Sequence, residues 1–599
     1  MKKTNLAIGI GLSMALLSVM SVVKSQEGKG DLVEVTPFPS RYMDANQPMF
    51  ELEMGARVAK DTYDYWNLPT DSPQRTSYDH SEFINIADGV WTYGSSSLVN
   101  IHIVEAPEGL IIYDTGTSRE FGEHFYRQMR QHLPEAPVKA IIYSHDHYVF
   151  GTEPIIEKEQ ERGNEDILVI GPKGVTRALL ESPGTATKFP EIAGVLLSRT
   201  LEQFNVFKPS EGPDAGFKNT MNASLGGLVL PNYEVEHGEV KNIGGMDVKF
   251  FTQDIDTDSQ YQIVAWFPEK RIAMNNIIWG WFPNLYSLRG GDFRNPTLWK
   301  NAVDTLIELE PEVLLSTHST SLVGDTVIME RLEHYKDGIA SILDQSLKAI
   351  LQGSTPAEMS YEVQLPENLK DAPILIENYG EIAHVPGRIY TALFGQFNRN
   401  AAQLNRLHPT EEAQRLVNAM GGLSATYTLA KTAHNDGDFL WACQLADYLV
   451  TVEDSLQHRQ LKANCLREMG HRALAQNVRS WHLSQARALE GKTAIPTALP
   501  AFPDIITKSP TSFVDQYRIR ISPQKANDFN QVLVFEIDDE TPVALHIRNG
   551  VAHFVDSVEL DEGQVRVSMT ADTWVGVFNN LIEPQLQLNR DKSKLSKVV

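Results

Sequence analysis

The segment VKAIIYSHDHYVFG, residues 138–151, runs from an apolar stretch directly into a group of histidines. Its first part, 138–143, has the composition of a short buried strand. His145 and His147 follow, two residues apart. Since alternate residues of an extended chain face the same side, both imidazoles can point at one ion, and neutral imidazole is a good zinc ligand. On its own, this spacing is more typical of a hydrogen-bonded structural pair.

Three further polar residues strengthen the metal hypothesis, because each stands at or beyond the end of an apolar, strand-like stretch. These residues are Asp114, Asp258 and His318. Polar groups at strand ends converge on one edge of a layered fold, where sites are usually built. Asp114 is better interpreted as a capped strand end that hydrogen-bonds a histidine than as a metal ligand.

The chain of 599 residues is too long for one hydrophobic core, so several domains are expected. Strands and helices alternate in the first half, helical patterns dominate the next part, and strand patterns return near the end. The predicted segments are a signal peptide (1–25), an N-terminal extension (26–87), an α/β domain (88–345), an all-α domain (346–492), a linker (493–510) and a small α+β domain (511–599).

Within the α/β domain, apolar runs bounded by turn residues predict the strands. They cover 98–105, 110–114, 138–143, 166–170, 248–251, 263–267 and 313–316, with a helix at 121–133. The last domain should contain a strand at 532–537 and a hairpin that turns at Asn549-Gly550.

Helix signals mark the all-α domain. Asp438 can cap a helix whose Trp441, Leu445, Tyr448 and Leu449 share one face. In the next helix, residues 461, 465 and 469 repeat every four positions, and Gly470 can end it. Cys443 and Cys465, the two cysteines of the chain, can pair with each other or stay as buried thiols.

The N-terminus predicts export. Met1-Lys2-Lys3 precedes an apolar run at 6–23, and small or aliphatic residues stand before a cut at Gln26, as in a secretory signal peptide. An uncleaved anchor is the alternative, but the run is short and contains Ser and Gly. A periplasmic or secreted protein without stable membrane insertion is expected.

The net charge of −24 argues against nucleic acid as a partner, because binding it requires a basic surface. A small anionic ester can still be attracted to one local basic pocket.

Several longer stretches carry a resemblance that spans almost the whole mature chain. They are 212–214, 223–226, 267–271, 284–290, 389–390 with Gly395 and Asn400, and 441–449. In this order they resemble the alkylsulfatase branch of the metallo-β-lactamase superfamily. The resemblance implies an αββα sandwich, a helical dimerisation domain and therefore a homodimer, and a sterol-carrier-protein-like C-terminal domain. It also implies a two-zinc site that hydrolyses alkyl sulfate esters.

The metal motif departs from the family pattern H-x-H-x-D-H. His145 and His147 match the first two histidines, but Val149 and Phe150 stand where Asp and His belong. A two-residue deletion before Val149 is an alternative, and a third alignment takes Asp146-His147 as the Asp-His pair. Each alignment loses two of the four ligands.

The downstream ligands are also altered. Asn276 aligns with the family's bridging Glu, Asp258 with another Glu ligand, and His318 with the final His ligand. The retained metal residues are therefore His145, His147, Asp258 and His318. We expect one zinc ion per chain, bound by His145, His147 and Asp258. His318 should then form an ordinary hydrogen bond, and Phe150 should fill the space left by the lost metal ligands.

Two residues are implied to act on the substrate. Arg289 matches an arginine that binds the sulfate group, which suits its fork of donors, although an ion pair is an equal interpretation. His384 matches a histidine near the sulfate, but Gln396 and Phe397 replace the aromatic pair found there.

Three functions follow as hypotheses. The first is an exported hydrolase that cleaves alkyl sulfate esters with a reduced metal site. The second is a non-catalytic homologue kept as a dimeric binding scaffold for an anionic or hydrophobic ligand. The third is a carrier of hydrophobic molecules that uses the C-terminal domain, which depends on fold analogy alone.

Overall fold

A computed structural model describes residues 33–70, 72–78, 81–94, 98–181, 187–217, 226–559 and 565–580. The predicted signal peptide at 1–25 lies outside these residues, and so do positions 223–225. The first elements are a hairpin of β1 (Met49–Glu51) and β2 (Arg57–Ala59), followed by the helix α1 (Lys60–Trp66). Arg41 forms a buried ion pair with Asp61 of α1 and donates to the carbonyl of Arg472, 2.6 Å away, so the N-terminal extension packs on the helical part.

A mixed sheet follows, with its strands in sequence order. The strands are β3 (Glu82–Ala87), β4 (Val90–Gly94), β5 (Ile101–Ala106), β6 (Gly109–Tyr113), β7 (Val138–Ile142), β8 (Leu168–Pro172) and β9 (Tyr233–Val235). The pairs from β3 to β6 are antiparallel, and those from β6 to β9 are parallel. The helices on this half are α2 (Arg119–His132), α3 (Thr152–Glu161), α4 (Val175–Glu181) and α5 (Ala193–Gln203).

The second sheet also keeps sequence order. Its strands are β10 (Val240–Ile243), β11 (Met246–Phe251), β12 (Val264–Phe267), β13 (Ile272–Trp279), β14 (Val313–His318) and β15 (Leu322–Val323), and α6 (Pro296–Leu309) connects β13 to β14. Only β13 and β14 pair in parallel among these described strands. The strands predicted from the sequence are present with shifted ends; β5, for example, begins at Ile101 rather than at 98.

The two sheets pack face to face. Ile142 of β7 and Phe250 of β11 share one buried cluster between the sheets. Ile141, one residue earlier on β7, packs on the opposite face against Phe125 of α2, as the two-residue period of a strand requires. Trp299 of α6 covers the outer face of the second sheet. The predicted αββα sandwich is therefore confirmed.

Helices make up the next part of the chain, as predicted. They are α7 (Asp325–Gln352), α8 (Pro356–Glu362), α9 (Val385–Phe394), α10 (Pro409–Ala419), α11 (Leu423–Asn435), α12 (Phe439–Val452), α13 (Leu456–Arg472) and α14 (Gln476–Leu489), with short 3₁₀ turns at Pro373–Leu375, Ile382–His384 and Ala401–Gln403. Helix α7 runs across the boundary placed at 345. None of the helices in the described residues is long and apolar enough to cross a membrane.

Details of α12 and α13 correct the sequence analysis. Asp438 caps α12 as expected, but Trp441 points outward and is 44% exposed while Leu445 and Leu449 are buried. Gly470 does not end α13, which continues to Arg472; a side chain there would collide with Leu483 of α14, so the glycine permits close packing. Cys443 and Cys465 are both free thiols.

A four-stranded sheet with helices is the last part of the described residues and confirms the predicted small α+β domain. Its elements are α15 (Pro503–Lys508), α16 (Pro510–Tyr517), α17 (Pro523–Ala526), β16 (Asn530–Ile537), β17 (Val543–Arg548), β18 (Val551–Val555), β19 (Val565–Met569) and α18 (Ala571–Phe578). The predicted turn at Asn549-Gly550 joins β17 to β18. The stretch 493–510 is not an open linker throughout, since it contains α15 and Leu499 bonds to the carbonyl of Gly194.

We expect Gly151→Ala to destabilise the protein. Gly151 caps α3 with an ordinary φ of −98°, but an added Cβ would lie 2.0 Å from the carbonyl oxygen of Thr115. Overpacking of this kind costs about 1–3 kcal/mol, so the thermal unfolding midpoint should fall. Gly380→Ala is the control, because nothing lies within 4 Å of its added Cβ. Equal midpoints for the two variants would contradict the close contact between the start of α3 and the segment that follows β6.

Candidate metal centre

Three predicted ligands converge at one edge of the sandwich. His145 Nε2 lies 2.7 Å from His147 Nδ1, and Asp258 Oδ2 lies 3.5 Å from the first nitrogen and 3.3 Å from the second. All three side chains are buried. Among the described residues, they are the only group of His, Cys, Asp or Glu that can hold a metal ion.

The strand ends set this geometry. Strand β7 stops at Ile142, and Ser144 is then fixed because its N–H donates to Asp114 Oδ1 and its carbonyl accepts from Ile263. The Ser144 hydroxyl lies 2.7 Å from His145 Nδ1, which orients the ring with Nε2 toward Asp258. A short parallel bridge between Gly116 and Val149 holds the far end of the loop.

Asp114 acts through this backbone and not as a ligand. Its two oxygens accept from the Ser144 N–H and the Thr317 hydroxyl, at 2.8 and 3.1 Å. The expected hydrogen bond from Asp114 to a histidine is therefore wrong, because Ser144 stands between the carboxylate and His145. Burial raises the pKa of Asp114 to about 6.

The donor set fits zinc. Two imidazole nitrogens and one carboxylate oxygen, with metal–ligand distances near 2.0–2.2 Å, require ligand atoms about 3.3 Å apart in a tetrahedron. The observed separations of 2.7, 3.3 and 3.5 Å lie around that value. Three protein ligands and one open position are the pattern of a catalytic zinc site.

Unpartnered polar atoms surround the group. Asn276 Nδ2 donates to Asp258 Oδ1 at 2.7 Å, while its own Oδ1 has no hydrogen-bond partner. Asp146 Oδ1 and His147 Nε2 also have no hydrogen-bond partner. Buried polar atoms are normally hydrogen-bonded, so these atoms indicate that the centre holds a ligand or ordered water.

The charges of the three side chains are strongly linked. Burial opposes charging of His145, but the Asp258 carboxylate prevails and raises the pKa of His145. Burial likewise opposes ionisation of Asp258, yet His145 and then His147 hold the pKa of that carboxyl well below its usual range. Burial lowers the pKa of His147. The neutral form of His147 beside the Asp258 carboxylate is the protonation state in which both can bind a metal cation.

His318 does not join the group, so its prediction as a metal ligand is not supported by the geometry. Its Nδ1 lies 2.7 Å from the Leu98 carbonyl and must donate to it, which leaves Nε2 to accept from the Tyr148 hydroxyl at 3.2 Å. Burial lowers the pKa of His318 to about 3, so the ring is neutral. Tyr148 separates His318 from the ligands, with its ring centre 5.0 Å from that of His145 and 5.3 Å from that of His318.

Phe150 does not fill the vacated metal position. It is fully buried in the cluster that contains Phe125 and Ile155, on the outer face of the first sheet. The side chain that lies between the ligands and His318 is Tyr148, which the sequence analysis did not single out.

Two arginines stand near the centre. Arg289 is 5% exposed, and its Nε and Nη1 have no hydrogen-bond partner. Arg294, five residues later in the same loop, is also buried and donates to the Asn284 carbonyl at 2.6 Å. Burial lowers the pKa of Arg294, and the charges of Asp258 and Arg289 act on it in opposite directions. No salt bridge of Arg289 is seen among the described residues, so the interpretation of Arg289 as an ion-pair residue is not favoured.

His384 occupies a different environment. Its Nε2 lies 3.5 Å from Glu381, whose other oxygen accepts from the Tyr42 hydroxyl. The Glu381 carboxylate outweighs burial and raises the pKa of His384. No contact of His384 with the three ligands or with Arg289 is seen in the described part of the chain, so its predicted position beside the sulfate group is not supported.

An open cavity of about 550 Å³ gives access to the centre. Asp146, Asp258 and Arg294 line it, and further out it is bounded by Asp256 and Asp292. Burial, followed by the charge of Asp258, raises the pKa of Asp256 to about 6. Arg294 was not predicted from the sequence, because its only signal there is that it is a second arginine in the loop of Arg289.

We expect Tyr148 and His318 to behave as a coupled pair in a double-mutant cycle. Tyr148→Phe leaves a buried acceptor unsatisfied, so the free energy of unfolding should fall by about 1–3 kcal/mol. Combined with His318→Ala, the change should be smaller than the sum of the two single effects. The coupling should survive treatment with a chelator. Additive effects would contradict the hydrogen bond between Tyr148 and His318, and coupling that vanishes without metal would show that His318 binds an ion.

Comparisons with known proteins agree with this architecture. The family described as "Metallo-beta-lactamase superfamily" matches residues 96–148, and the family described as "Alkyl sulfatase dimerisation" matches residues 355–492. A linear primary-alkylsulfatase of Pseudomonas sp. (strain ATCC 19151) is 30% identical over 482 residues, which cover 76% of this chain and 88% of the relative. The alkyl/aryl-sulfatase BDS1 of Saccharomyces cerevisiae is 25% identical over 454 residues, covering 74% of this chain and 69% of the relative.

Among solved structures, the stereoselective inverting sec-alkylsulfatase Pisa1 from Pseudomonas sp. superposes with a TM-score of 0.75 at 22% identity. The superposition covers 94% of this chain and 93% of that one, so the same fold extends through all parts of the molecule. Together with the sequence relatives, these matches show that the chain belongs to the alkylsulfatase branch of the metallo-β-lactamase superfamily.

Proposed function

We propose that this enzyme hydrolyses alkyl sulfate esters outside the cytoplasm, with one zinc ion held by His145, His147 and Asp258. The observation that carries the proposal is the convergence of three metal-type ligands at a cavity that Arg294 also lines, with Arg289 buried and unpartnered in the same loop. The relatives that match the chain are alkylsulfatases. Export is inferred from the sequence at 1–25.

Each residue has a distinct task. Zinc at these ligands would supply Lewis acidity and make a water molecule a stronger nucleophile. Arg289 presents unpartnered N–H donors in a low-dielectric setting, where a bond to a sulfate oxygen is strong. Arg294 lies near enough to share that negative charge. The Ser144 hydroxyl orients His145, and Tyr148 closes the centre on the His318 side.

A single ion is consistent with the charges available. A second divalent ion on the His318 side would need anionic ligands there to offset its desolvation. Asn276 is neutral, Val149 and Phe150 supply no ligand atom, and the ring of Tyr148 takes up the space. The loss of the second site also favours the non-catalytic homologue as the alternative, which the next experiment separates from the hydrolase.

Metal analysis of purified variants tests the proposal. We expect about one zinc per chain, a loss of at least tenfold in zinc affinity for Asp258→Ala, and unchanged zinc content for the control His318→Ala. Sulfate release from dodecyl sulfate should be slower than in two-zinc relatives, stop on chelation and return with zinc.

Two zinc ions per chain with rapid hydrolysis would contradict the mononuclear site. No tightly bound metal and no sulfate release would favour the inert scaffold.

The helical part supports a homodimer. The stretch from the end of α9 to the start of α10 exposes large apolar side chains. Its backbone is ordered by a 3₁₀ turn and by hydrogen-bonded turns. These side chains are Leu393, Phe394, Phe397, Leu404 and Leu407, each at least 44% exposed. Contiguous apolar surface of this kind marks an interface, and the family match over 355–492 names dimerisation.

We expect light scattering to give the mass of two chains at micromolar concentration. Phe394→Glu with Leu404→Glu should shift the protein to monomer, because two charges would be buried in the interface. Val323→Glu, which alters an equally exposed apolar residue on the α/β domain, should leave the dimer intact. A monomeric wild type, or a dimer that tolerates both glutamates, would contradict this assignment.

A further inference from the structure

The cavity that opens onto the metal centre is lined largely by charged and polar groups. Asp146, Asp256 and Asp292 border it together with Asp258. Its wholly aliphatic lining is limited to Ala178 and Leu298. A long alkyl chain would therefore bury little of its surface against apolar walls here, and the hydrophobic effect scales with that area.

The negative charges of this cavity are only partly compensated. Arg177 is paired with Glu181 at 2.7 Å, and Asp258 belongs to the metal centre. Three carboxylates, Asp146, Asp256 and Asp292, then face Lys188 and Arg294 as lining cations.

Of these two cations, Arg294 lies beside Arg289, where the sulfate group is expected. Lys188 and Arg294 both act on Asp256, so three carboxylates face two lining cations and one negative charge is in excess. Arg388 adds a more distant positive charge that acts on Asp292.

Asp146 offers an acceptor to a ligand in this cavity. The residue is 2% exposed, and its Oδ1 has no hydrogen-bond partner although it lies against the cavity. A buried, unpartnered carboxylate oxygen is costly, and a cationic or hydrogen-bond-donating ligand would relieve it.

The spacing of the carboxylates favours a large cation over a metal ion. In the described residues, only His145, His147 and Asp258 bring three His, Cys, Asp or Glu ligand atoms together closely enough to hold an ion, so the three cavity carboxylates do not form such a group. An ammonium group that carries methyl groups is wider and needs no such convergence. Tyr261 and Phe293 also line the cavity and offer aromatic surface, which attracts such cations.

We propose that the cavity bounded by Asp146, Asp256 and Asp292 binds the ammonium group in the alcohol portion of the substrate, so that the preferred substrates are sulfate esters of amino alcohols. This inference rests on the proposed sulfate ester hydrolysis. In such a substrate the sulfate group faces Arg289 and Arg294, and the ammonium group faces the three carboxylates on the open side. The two ends of one zwitterion then match the two charged regions of the site.

The test compares choline sulfate with 3,3-dimethylbutyl sulfate, a neutral analogue that has carbon in place of the ammonium nitrogen. For the zinc-loaded enzyme, kcat/KM should be about tenfold higher for choline sulfate. Asp256→Asn and Asp292→Asn should each reduce the ratio of the two values. Asp254→Asn, an exposed residue of the same loop that does not line the cavity, is the matched control and should keep the ratio.

Calorimetry with the two alcohols, choline and 3,3-dimethyl-1-butanol, separates this inference from hydrolysis itself. Choline should bind more tightly than the neutral alcohol, and Asp292→Asn should remove the difference. If neither ester is cleaved but choline still binds in this way, the proposed hydrolysis fails while the cation site stands. Equal or tighter binding of the neutral compounds, or a preference that survives both asparagine variants, would overturn the inference.

Discussion

The contact of Asp258 with His145 and His147 is the interaction on which the rest of the site depends. A carboxylate this deeply buried is tolerated only if positive charge or hydrogen-bond donors stand beside it, and Asp258 has His145 and His147 at 3.5 and 3.3 Å. The surrounding structure serves this contact. Asp114 fixes Ser144, Ser144 orients His145, and Asn276 fixes the other oxygen of Asp258.

The position of Tyr148 is the feature that supports the proposed single-ion site, because the ring separates His318 from the three candidate ligands. The phenol ring fills the space between the ligands and His318, and its hydroxyl satisfies the histidine nitrogen that would otherwise face a metal. His318 is thereby kept neutral and fully hydrogen-bonded in the core. Residues 148–150 therefore contribute packing and one hydrogen bond on the His318 side of the site.

Periodicity was sufficient to predict much of the fold. Strands such as β7, with Ile141 and Ile142 facing opposite clusters, have an apolar pattern that local sequence reveals. Strand β13 was missed because Asn275 and Asn276 interrupt its apolar run, and these residues are tolerated only through bonds to β14 and Asp258. Gly470 was misinterpreted for a similar reason, since its contact with Leu483 depends on the packing of two helices.

The site could be predicted in part. His145, His147, Asp258 and His318 were all predicted from their positions at strand ends, but only the first three converge, because His318 is bonded to Leu98 and Tyr148. His384 was placed by family resemblance alone, and its partner is Glu381. Tyr148 and Arg294 could not be identified, because their roles arise from three-dimensional proximity, and Asp146 was considered only as a possible metal ligand in one alternative alignment. The most direct test is anomalous X-ray diffraction at the zinc absorption edge from crystals of the zinc-loaded protein. The account predicts one peak among His145, His147 and Asp258; a second peak beside His318, or no peak at the three ligands, would contradict it.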